Sequence, residues 1–566
     1  MSAPAPGPAP AQEPAAMPGP AATSAPPAPR ADTTLVAALR ADLSAAGFSH
    51  DHLAGLLGEE VLSALDRDQF VPGQLRVQEL LDAAAADSLP AEPAAVLSGL
   101  WLFGMEITVA QVEQALPRTG IQGLLRLELV QAQAHDDGEL CRPSVDLRPY
   151  QAEQQDGVAD LWVASDLSSH QLQGALPAEH VLGIGRASLT LAASIHRRPV
   201  STALEIGTGC GIQLMHLLNH AEHVVATDLS ARALDFTAFN LLLNAPELRL
   251  DPENLGARVQ LLVGSLFDPV AERTFDLIVS NPPFVITPRP ADEDPAARYT
   301  YRDGGRRGDL LMEELISQLP RFLSDGGTAQ LLGNWEIPEG ADWDTRPRLW
   351  CEQLEGEAPV DAWFIQRDQQ DADEYAETWL RDASTERDIA QYRLRYAAYL
   401  QDFDSRGVEA VGFGMIWMRR RSAADAAMMN PWRRFEEISG PVDQPLGPVI
   451  GGTVARAEAV ARDAEAVLDS ALVVAGDVTE ERHQRFGAVH PEVIVARQGA
   501  GLRRSRPVSS AAAGLLGAAD GEFAAAQLAT AVASLMDDQP ADGADLEQAL
   551  RTETLELYVE GYLTRS

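Results

Sequence analysis

The chain has 566 residues, 46% of them hydrophobic, and a formal net charge of −39. That length exceeds one hydrophobic core, so roughly two to four domains are expected, and so acidic a surface disfavours long-range attraction to nucleic acid or an anionic membrane. The three cysteines, Cys141, Cys210 and Cys351, are far apart and form no CxxC pair. A zinc ribbon, an iron–sulfur centre and a disulfide scaffold are therefore excluded, and no metal is expected. Neither a secretory signal nor a charge-free apolar run long enough to span a bilayer is found, so no membrane association and a cytoplasmic location are expected.

In chain order, Met1–Arg30 holds 10 Pro and 10 Ala with one acid and one base, and residues 1–30 read as a disordered tail. Residues 31–175 form the first expected domain. Apolar side chains recur at helical spacing from Asp32 to Ala84, as in Leu35-Val-Ala-Ala-Leu39, with Gly47, Gly58 and Pro72 as punctuation, which predicts about three or four short helices. Two more helices follow over Thr108–Leu116 and Gly120–Val130, then extended pieces at Leu140–Leu147 and Leu161–Leu167. Helix, turn, helix and hairpin suggest a winged-helix-like module, a shape that does not by itself make a nucleic-acid reader.

Residues 176–425 alternate apolar strands with helices and predict a doubly wound, mostly parallel α/β sheet of about seven strands. The strands are placed at Thr202–Ile206, His223–Thr227, Val259–Val263, Phe275–Val279, Thr328–Gly333, Ala362–Arg367 and Gly412–Met418. A polar helical insertion near residues 371–403 carries Tyr392, Tyr396 and Tyr399 at the spacing of one helix face, read as packing rather than base stacking. Residues 426–566, with strands at Ala471–Ala475 and Val493–Ala496 and helices at Ser509–Leu516 and Ala524–Leu535, form a small C-terminal α+β domain whose element order admits a second winged-helix-like arrangement.

Two tracts carry chemistry. Leu204-Glu-Ile-Gly-Thr-Gly-Cys-Gly211 follows a predicted strand directly and opens a helix; Gly207, Gly209 and Gly211, with Thr208 between, let backbone approach a nucleotide-like ligand. Alone the pattern is weak, but Glu205 suits a ligand ammonium, whereas a diphosphate would disfavour a carboxylate there. Asp228 ends the second strand, where it can accept from ribose hydroxyls or cap the next helix. The second tract, Asn281-Pro-Pro-Phe284, follows the fourth strand, where strand ends line the ligand crevice. The Asn281 amide oxygen and Pro282 carbonyl can accept from a planar NH₂ group, and Phe284 can stack on it, which suits transfer of a methyl group to nitrogen.

These motifs resemble a class I S-adenosylmethionine-dependent methyltransferase of the small-domain N-methyltransferase group, which includes release-factor glutamine, ribosomal-RNA guanine and adenine-N6 methyltransferases. The resemblance covers about 181–420. It implies S-adenosyl-L-methionine as cofactor, with Glu205 near its methionine end, Gly207, Gly209 and Gly211 as its loop, and Asp228 and the adjoining Leu229 at its ribose. Asn281 and Pro282 would hold the acceptor nitrogen under Phe284. Many relatives place an acid after the third strand; this chain reads Val263-Gly-Ser-Leu-Phe-Asp268, so Ser265 or the Leu266 amide is expected to meet adenine. The segment His180–Thr190 resembles the piece that covers the cofactor, with Gly183 and Gly185 permitting close approach and Ser188 or Thr190 at the methionine end.

The acceptor is less determined. Pro283, Tyr299, Tyr301, Arg302 and Arg306 are expected near it, in a stretch that alternates Arg with Asp and Glu and reads equally as a salt-bridged loop. The first expectation is an RNA substrate, adenine or guanine in rRNA or tRNA, helped by Arg419–Arg421, Arg433, Arg434 and Arg503–Arg506. The alternative is a protein glutamine on a translation factor or ribosomal protein, which suits the acidity better; a non-catalytic cofactor-binding scaffold is the third.

Overall fold

The computed structural model describes residues 25–566 except 66, 68, 136–137, 155–156, 173–175, 178, 290–302, 355–358, 383–387, 429 and 537–544. Helices α1 (Thr33–Ala45), α2 (His50–Leu57), α3 (Glu59–Leu65), α4 (Val71–Ala86) and α5 (Pro93–Leu97) come first. Asp32 starts α1 by accepting from the Leu35 amide, as a helix N-cap does. Then β1 (Ile107–Thr108), α6 (Val109–Ala115), α7 (Gly120–Arg126), β2 (Val130–His135) and β3 (Gly138–Pro143) build a small antiparallel sheet in the order β1-β3-β2. This is the arrangement of a winged helix, but α1 lies against α7: a Cβ on Gly123 would meet Leu35, and Arg126 pairs with Asp32. A separate hairpin, β4 (Asp146–Gln154) and β5 (Gly157–Ser165), leads toward the α/β region.

That region contains α8 (Arg186–Ser194), β6 (Val200–Ile206), α9 (Ile212–Leu217), β7 (Ala221–Asp228), α10 (Ala231–Leu243), β8 (Val259–Val263), β9 (Phe275–Ser280), α11 (Leu310–Phe322), β10 (Leu323–Pro338), α12 (Thr345–Gln353) and β11 (Val360–Asp371). It continues with α13 (Ala372–Asp382), α14 (Ile389–Asp404), β12 (Val408–Arg420), α15 (Ala423–Met428) and β13 (Arg433–Glu437). All seven expected strands are present. The sheet has eight, in the order β13-β11-β12-β10-β9-β6-β7-β8. The extra strand, β13, lies beyond residue 425 and has a single apolar side chain, so it carries no alternation to read. It is held by the Phe364–Phe435 stack and by register against β11.

One core runs without a break from Val36, Trp101 and Leu124 through Leu161 and Trp162 to Leu214, Phe236 and Phe239, joining the N-terminal helices to one face of the large sheet. The other face buries Leu204, Ile278, Met312, Trp335 and Phe364. Helices α13 and α14 are the expected insertion, and their Tyr375, Tyr399 and Phe403 are buried with Ile286, while Tyr392 and Tyr396 pack against them. The aromatic stripe is therefore packing.

The C-terminal part comprises α16 (Gly447–Arg462), α17 (Ala464–Leu468), β14 (Ala471–Val474), β15 (Val478–His483), β16 (Val493–Gln498), β17 (Ser505–Val508), α18 (Ser510–Ala518), β18 (Asp520–Ala524), α19 (Ala525–Leu535), α20 (Leu546–Glu560) and β19 (Leu563–Arg565). Its sheets are β15-β16-β17 and β18-β14-β19. Among the described residues no helix is long and apolar enough to cross a membrane.

Candidate functional site

The parallel strand β6 pairs with β7 on one side and with β9 on the other. The strand order therefore reverses at β6, and the crevice beyond the carboxyl ends of β6 and β9 is where such folds take ligands. Register puts Ile206 opposite Ser280, and the Ser280 hydroxyl donates to the Ile206 carbonyl at 2.9 Å. The next residues on each strand are Gly207 and Asn281. A Cβ on Gly207 would lie 3.9 Å from the Asn281 carbonyl oxygen, so the two tracts form one site.

The loop after β6 is braced on all sides. Gly207, Gly209 and Gly211 have φ of +74°, +57° and +89°, the left-handed region that favours glycine. At Gly211 the added Cβ would also lie 3.1 Å from Thr237. Thr237 donates to the Gly209 carbonyl at 2.9 Å, and the Gly207 amide donates to the Thr227 carbonyl at 2.8 Å. Asp228 accepts from the Gly209 amide at 2.9 Å and from the Ser230 amide at 2.8 Å. The cap of α10 is Ser230, accepting from Ala233, so Asp228 is a loop brace that lines the cleft, not the helix cap.

Electrostatically the site is unusual for its buried acid. Glu205 is 2% exposed and accepts from the Thr208 hydroxyl at 2.7 Å and from the Gln213 and Leu214 amides. Burial nevertheless pushes its carboxyl up to about 8, with the charge of Asp228 adding. Beside it, Gln213 donates its amide nitrogen to the Ser188 carbonyl at 2.7 Å, and its oxygen is buried with no partner. A buried acid next to an orphaned acceptor fits a cationic donor such as an ammonium. The donor set thus suits the amino-acid end of the expected cofactor.

The cleft has a volume of about 710 Å³, within the range of small-molecule sites. Of the expected residues, Glu205, Gly207, Thr208, Gly209, Asp228, Leu229, Ser265, Leu266, Asn281, Pro283 and Arg306 line it, as do Gly183, Gly185 and Ser188. Gly211, Pro282, Phe284 and Thr190 are not in the lining. Gly211 sits behind the loop as the first turn into α9. Phe284 packs against both faces of the core, its carbonyl accepting from Asn334 at 2.9 Å and its backbone bridging to Asp303, so the apolar surface beside Asn281 belongs to Pro283. Tyr299, Tyr301 and Arg302 lie outside the described residues. Among the described residues no cluster of His, Cys, Asp and Glu is placed to hold a metal ion.

Most arginines named for the expected basic path are paired with acids, while Arg433 and Arg503 make no ion pair among the described residues and Arg302 lies outside them. Arg306 pairs with Glu314 at 2.8 Å and Arg289 with Asp303. Arg419 and Arg421 share Asp361, Arg420 faces Asp325, Arg434 and Arg504 share Glu436, and Arg506 pairs with Glu556 and Glu560. Neighbouring acids neutralise these guanidiniums at contact range, where a net charge tally made along the sequence cannot see them.

Other lining residues escaped the sequence reading because they come from the N-terminal part: Asp146, Arg148, Ser165 and Asp166. The signal available was an oppositely charged pair two residues apart, Asp146 and Arg148, on one face of the strand. Their hairpin is fixed by two amides on α10. Asn244 accepts from the Trp162 amide and donates to its carbonyl, and Asn240 does the same for Ala164 while also donating to the Cys210 carbonyl, all at 2.7–2.9 Å. Both are fully buried. Side chains thus take the place of a neighbouring strand. Asp166 accepts from the Val181 amide at 2.8 Å and pairs with Arg232, pinning the segment that carries Gly183 and Gly185.

Residues 182–293 match the family Methyltransferase small domain, and residues 45–140 match a domain of unknown function, DUF7059. A release factor glutamine methyltransferase of Geobacter sulfurreducens is 34% identical over 145 residues, 24% of this chain and 46% of that protein. A ribosomal protein uL3 glutamine methyltransferase of Bradyrhizobium diazoefficiens is 28% identical over 29% of this chain and 51% of that protein. A ribosomal RNA small subunit methyltransferase C of Alcanivorax borkumensis is 27% identical over 24% of this chain and 33% of that protein. The chain spans about half the length of the first two of these relatives. The chain therefore carries a small-domain class I S-adenosylmethionine-dependent methyltransferase domain, related to the glutamine methyltransferases of release factors and ribosomal proteins and to rRNA methyltransferases.

Proposed function

We propose that this protein transfers a methyl group to the side-chain amide nitrogen of a glutamine in a protein of the translation apparatus. The observation that carries the reading is the adjacency of the Gly207 loop and Asn281 at the ends of β6 and β9. Two features favour a protein amide over an RNA base: the relatives named as glutamine methyltransferases, and the pairing of the arginines that an RNA path would need.

S-adenosylmethionine supplies a methyl group on a cationic sulfur that departs as a neutral thioether, so no metal or covalent nucleophile is needed. Glu205 and Gln213 would take its ammonium, Asp228 its ribose hydroxyls, and Ser265 and Leu266 its adenine end. Asn281, through its side-chain oxygen, and Pro282, through its carbonyl, accept hydrogen bonds from the acceptor NH₂. This localises a lone pair that amide resonance otherwise spreads, and holds it in line with the methyl group. Pro283 packs against the planar group, and Phe284 anchors the turn. The methylated nitrogen, cationic after transfer, would release its extra proton to solvent water.

Labelled methyl transfer into fractionated cell extract tests the substrate class. Label is expected in a protease-sensitive, nuclease-resistant product, and nuclease-sensitive label overturns the protein reading. Asn281→Ala should lower turnover by about 10²-fold or more, the scale of losing an aligned polar group at a reacting centre, while binding of S-adenosylhomocysteine by calorimetry changes less than about threefold. Asp228→Ala should weaken that binding by about 10-fold, since hydrogen bonds to a charged group are worth about 1.5–3 kcal/mol.

A further inference from the structure

Arg148 is on β4, outside the segment that matches the methyltransferase family, yet it lines the cofactor cleft with Glu205, Cys210 and Gln213. Its Nε donates to Asp146 at 2.8 Å and its Nη2 bonds the second oxygen of the same carboxylate. The fork is thereby locked in one plane, and Nη1 makes no hydrogen bond among the described residues. Asp146 is 1% exposed. The pair is close enough to the glycine loop that the charges of Arg148 and Asp146 act on the Cys210 thiol, as does that of Glu205. The hairpin is held there by the Asn240 and Asn244 amides and by a 2.6 Å hydrogen bond between Tyr150 and His216 of α9.

On this side of the cleft stand three groups of defined polarity. Glu205 and the orphaned oxygen of Gln213 accept; the free edge of the Arg148 guanidinium donates. An α-amino acid is a zwitterion with one group for each. A guanidinium suits a carboxylate through paired N–H donors, and a buried acceptor left without a donor is a standing cost that an ammonium removes.

Resting on the functional reading above, we infer that the N-terminal hairpin completes the amino-acid subsite of the cofactor: Arg148 takes the carboxylate of the methionine moiety, and Gln213 Oε1 accepts from its ammonium beside Glu205. Asp146 is a positioning residue that fixes the plane of Arg148. The cofactor pocket is then built by two regions of the chain, and the N-terminal region belongs to the site rather than hanging from it.

Calorimetric titration with two ligands tests this on the full chain. S-adenosylhomocysteine carries the amino-acid end; 5′-methylthioadenosine has the same nucleoside and lacks it. The double variant Asp146→Asn with Arg148→Gln avoids leaving a buried carboxylate unpaired. It should weaken S-adenosylhomocysteine about 10-fold or more and change 5′-methylthioadenosine less than about twofold. Gln213→Leu, of similar volume, should weaken only the first ligand, by about threefold or more. Equal losses for both ligands, or none for either, overturn the subsite. If the unaltered chain binds neither ligand, the functional reading itself falls; if it binds both with equal affinity, only the subsite falls.

Discussion

The two ends of this molecule use a similar small sheet and attach it differently. In the N-terminal module the order is β1-β3-β2, with α6 and α7 between the first two strands; in the C-terminal module it is β18-β14-β19, with α19 and α20 in the same place. The central strand arrives last in the first and before the rest in the second, so one is a circular permutation of the other. The N-terminal module shares an unbroken apolar core with the large sheet and adds the buried amides of Asn240 and Asn244. The C-terminal sheet, α18, α19 and α20 have a core of their own, joined to the rest by α16, whose Ile450 and Val454 enter the apolar core of the large sheet, and by an ionic seam to β13, with Arg504 on Glu436 and both Arg434 and Arg506 on Glu560. Apolar docking excludes water and lets a module wall a ligand cleft; an ionic seam holds position without making a dry pocket.

Breaking the first attachment should have the largest effect. Replacing Asn240 and Asn244 together by Ala strands the amides and carbonyls of Trp162 and Ala164 and the Cys210 carbonyl. At roughly 1 kcal/mol for each buried group left unpaired, about 5 kcal/mol of stability should be lost. Denaturant unfolding measures this, and a loss under about 1 kcal/mol would show that the hairpin does not depend on the amide ladder. Binding of S-adenosylhomocysteine should weaken with it if the hairpin walls the pocket.

The ionic seam should give way to acid instead. Arg504 and Arg434 hold the Glu436 carboxyl down at about 2 against its burial. A depressed carboxyl contributes stability above its unfolded value near 4.5, and the contribution is lost as pH falls through about 2. The expected size is about 3 kcal/mol, at about 1.4 kcal/mol for each tenfold change in proton affinity. Glu436→Gln should remove that acid dependence and destabilise the C-terminal module at neutral pH, seen as an earlier transition by calorimetry. An unchanged acid profile would mean the seam is not held electrostatically.

A third effect separates the pocket from both attachments. Glu205 is raised to about 8, so the ligand-free fold is most stable below the unfolded value near 4.5 and loses stability as pH rises through about 8, by up to about 1.4 kcal/mol per pH unit. Glu205→Gln should flatten that slope in thermal unfolding between pH 5 and 8, and S-adenosylhomocysteine should oppose it in the unaltered chain by favouring the ionised carboxylate. A slope that persists in the Gln variant would assign the pH dependence elsewhere.

Seven strands of the large sheet were legible because central parallel strands read as short apolar runs between turns. β13 was not legible, since Phe435 is its one apolar side chain, whereas β8 at the other edge carries the apolar run Val259-Gln-Leu-Leu-Val263. Within the site, the glycine loop, Asp228 and Asn281 were legible because each stands at the end of a strand, where position in the fold follows from position in the chain. Arg148 and Gln213 were hidden: Arg148 acts across a domain boundary, and Gln213 is a single polar residue in the apolar run Ile212-Gln-Leu-Met215. The pairing of Arg419 with Asp361 and of Arg504 with Glu436 was hidden because the partners are distant in sequence.

By itself, then, the sequence determined the α/β class, the places of seven strands along the chain and the family whose chemistry the two tracts share, all of which depend on local periodicity and on residues at strand ends. Only the tertiary structure decided that the N-terminal hairpin walls the cleft, that Pro283 rather than Phe284 lines it, and that most arginines of the expected basic path are paired with acids. Each of those rests on contacts between residues far apart in the chain, which packing and not local preference selects.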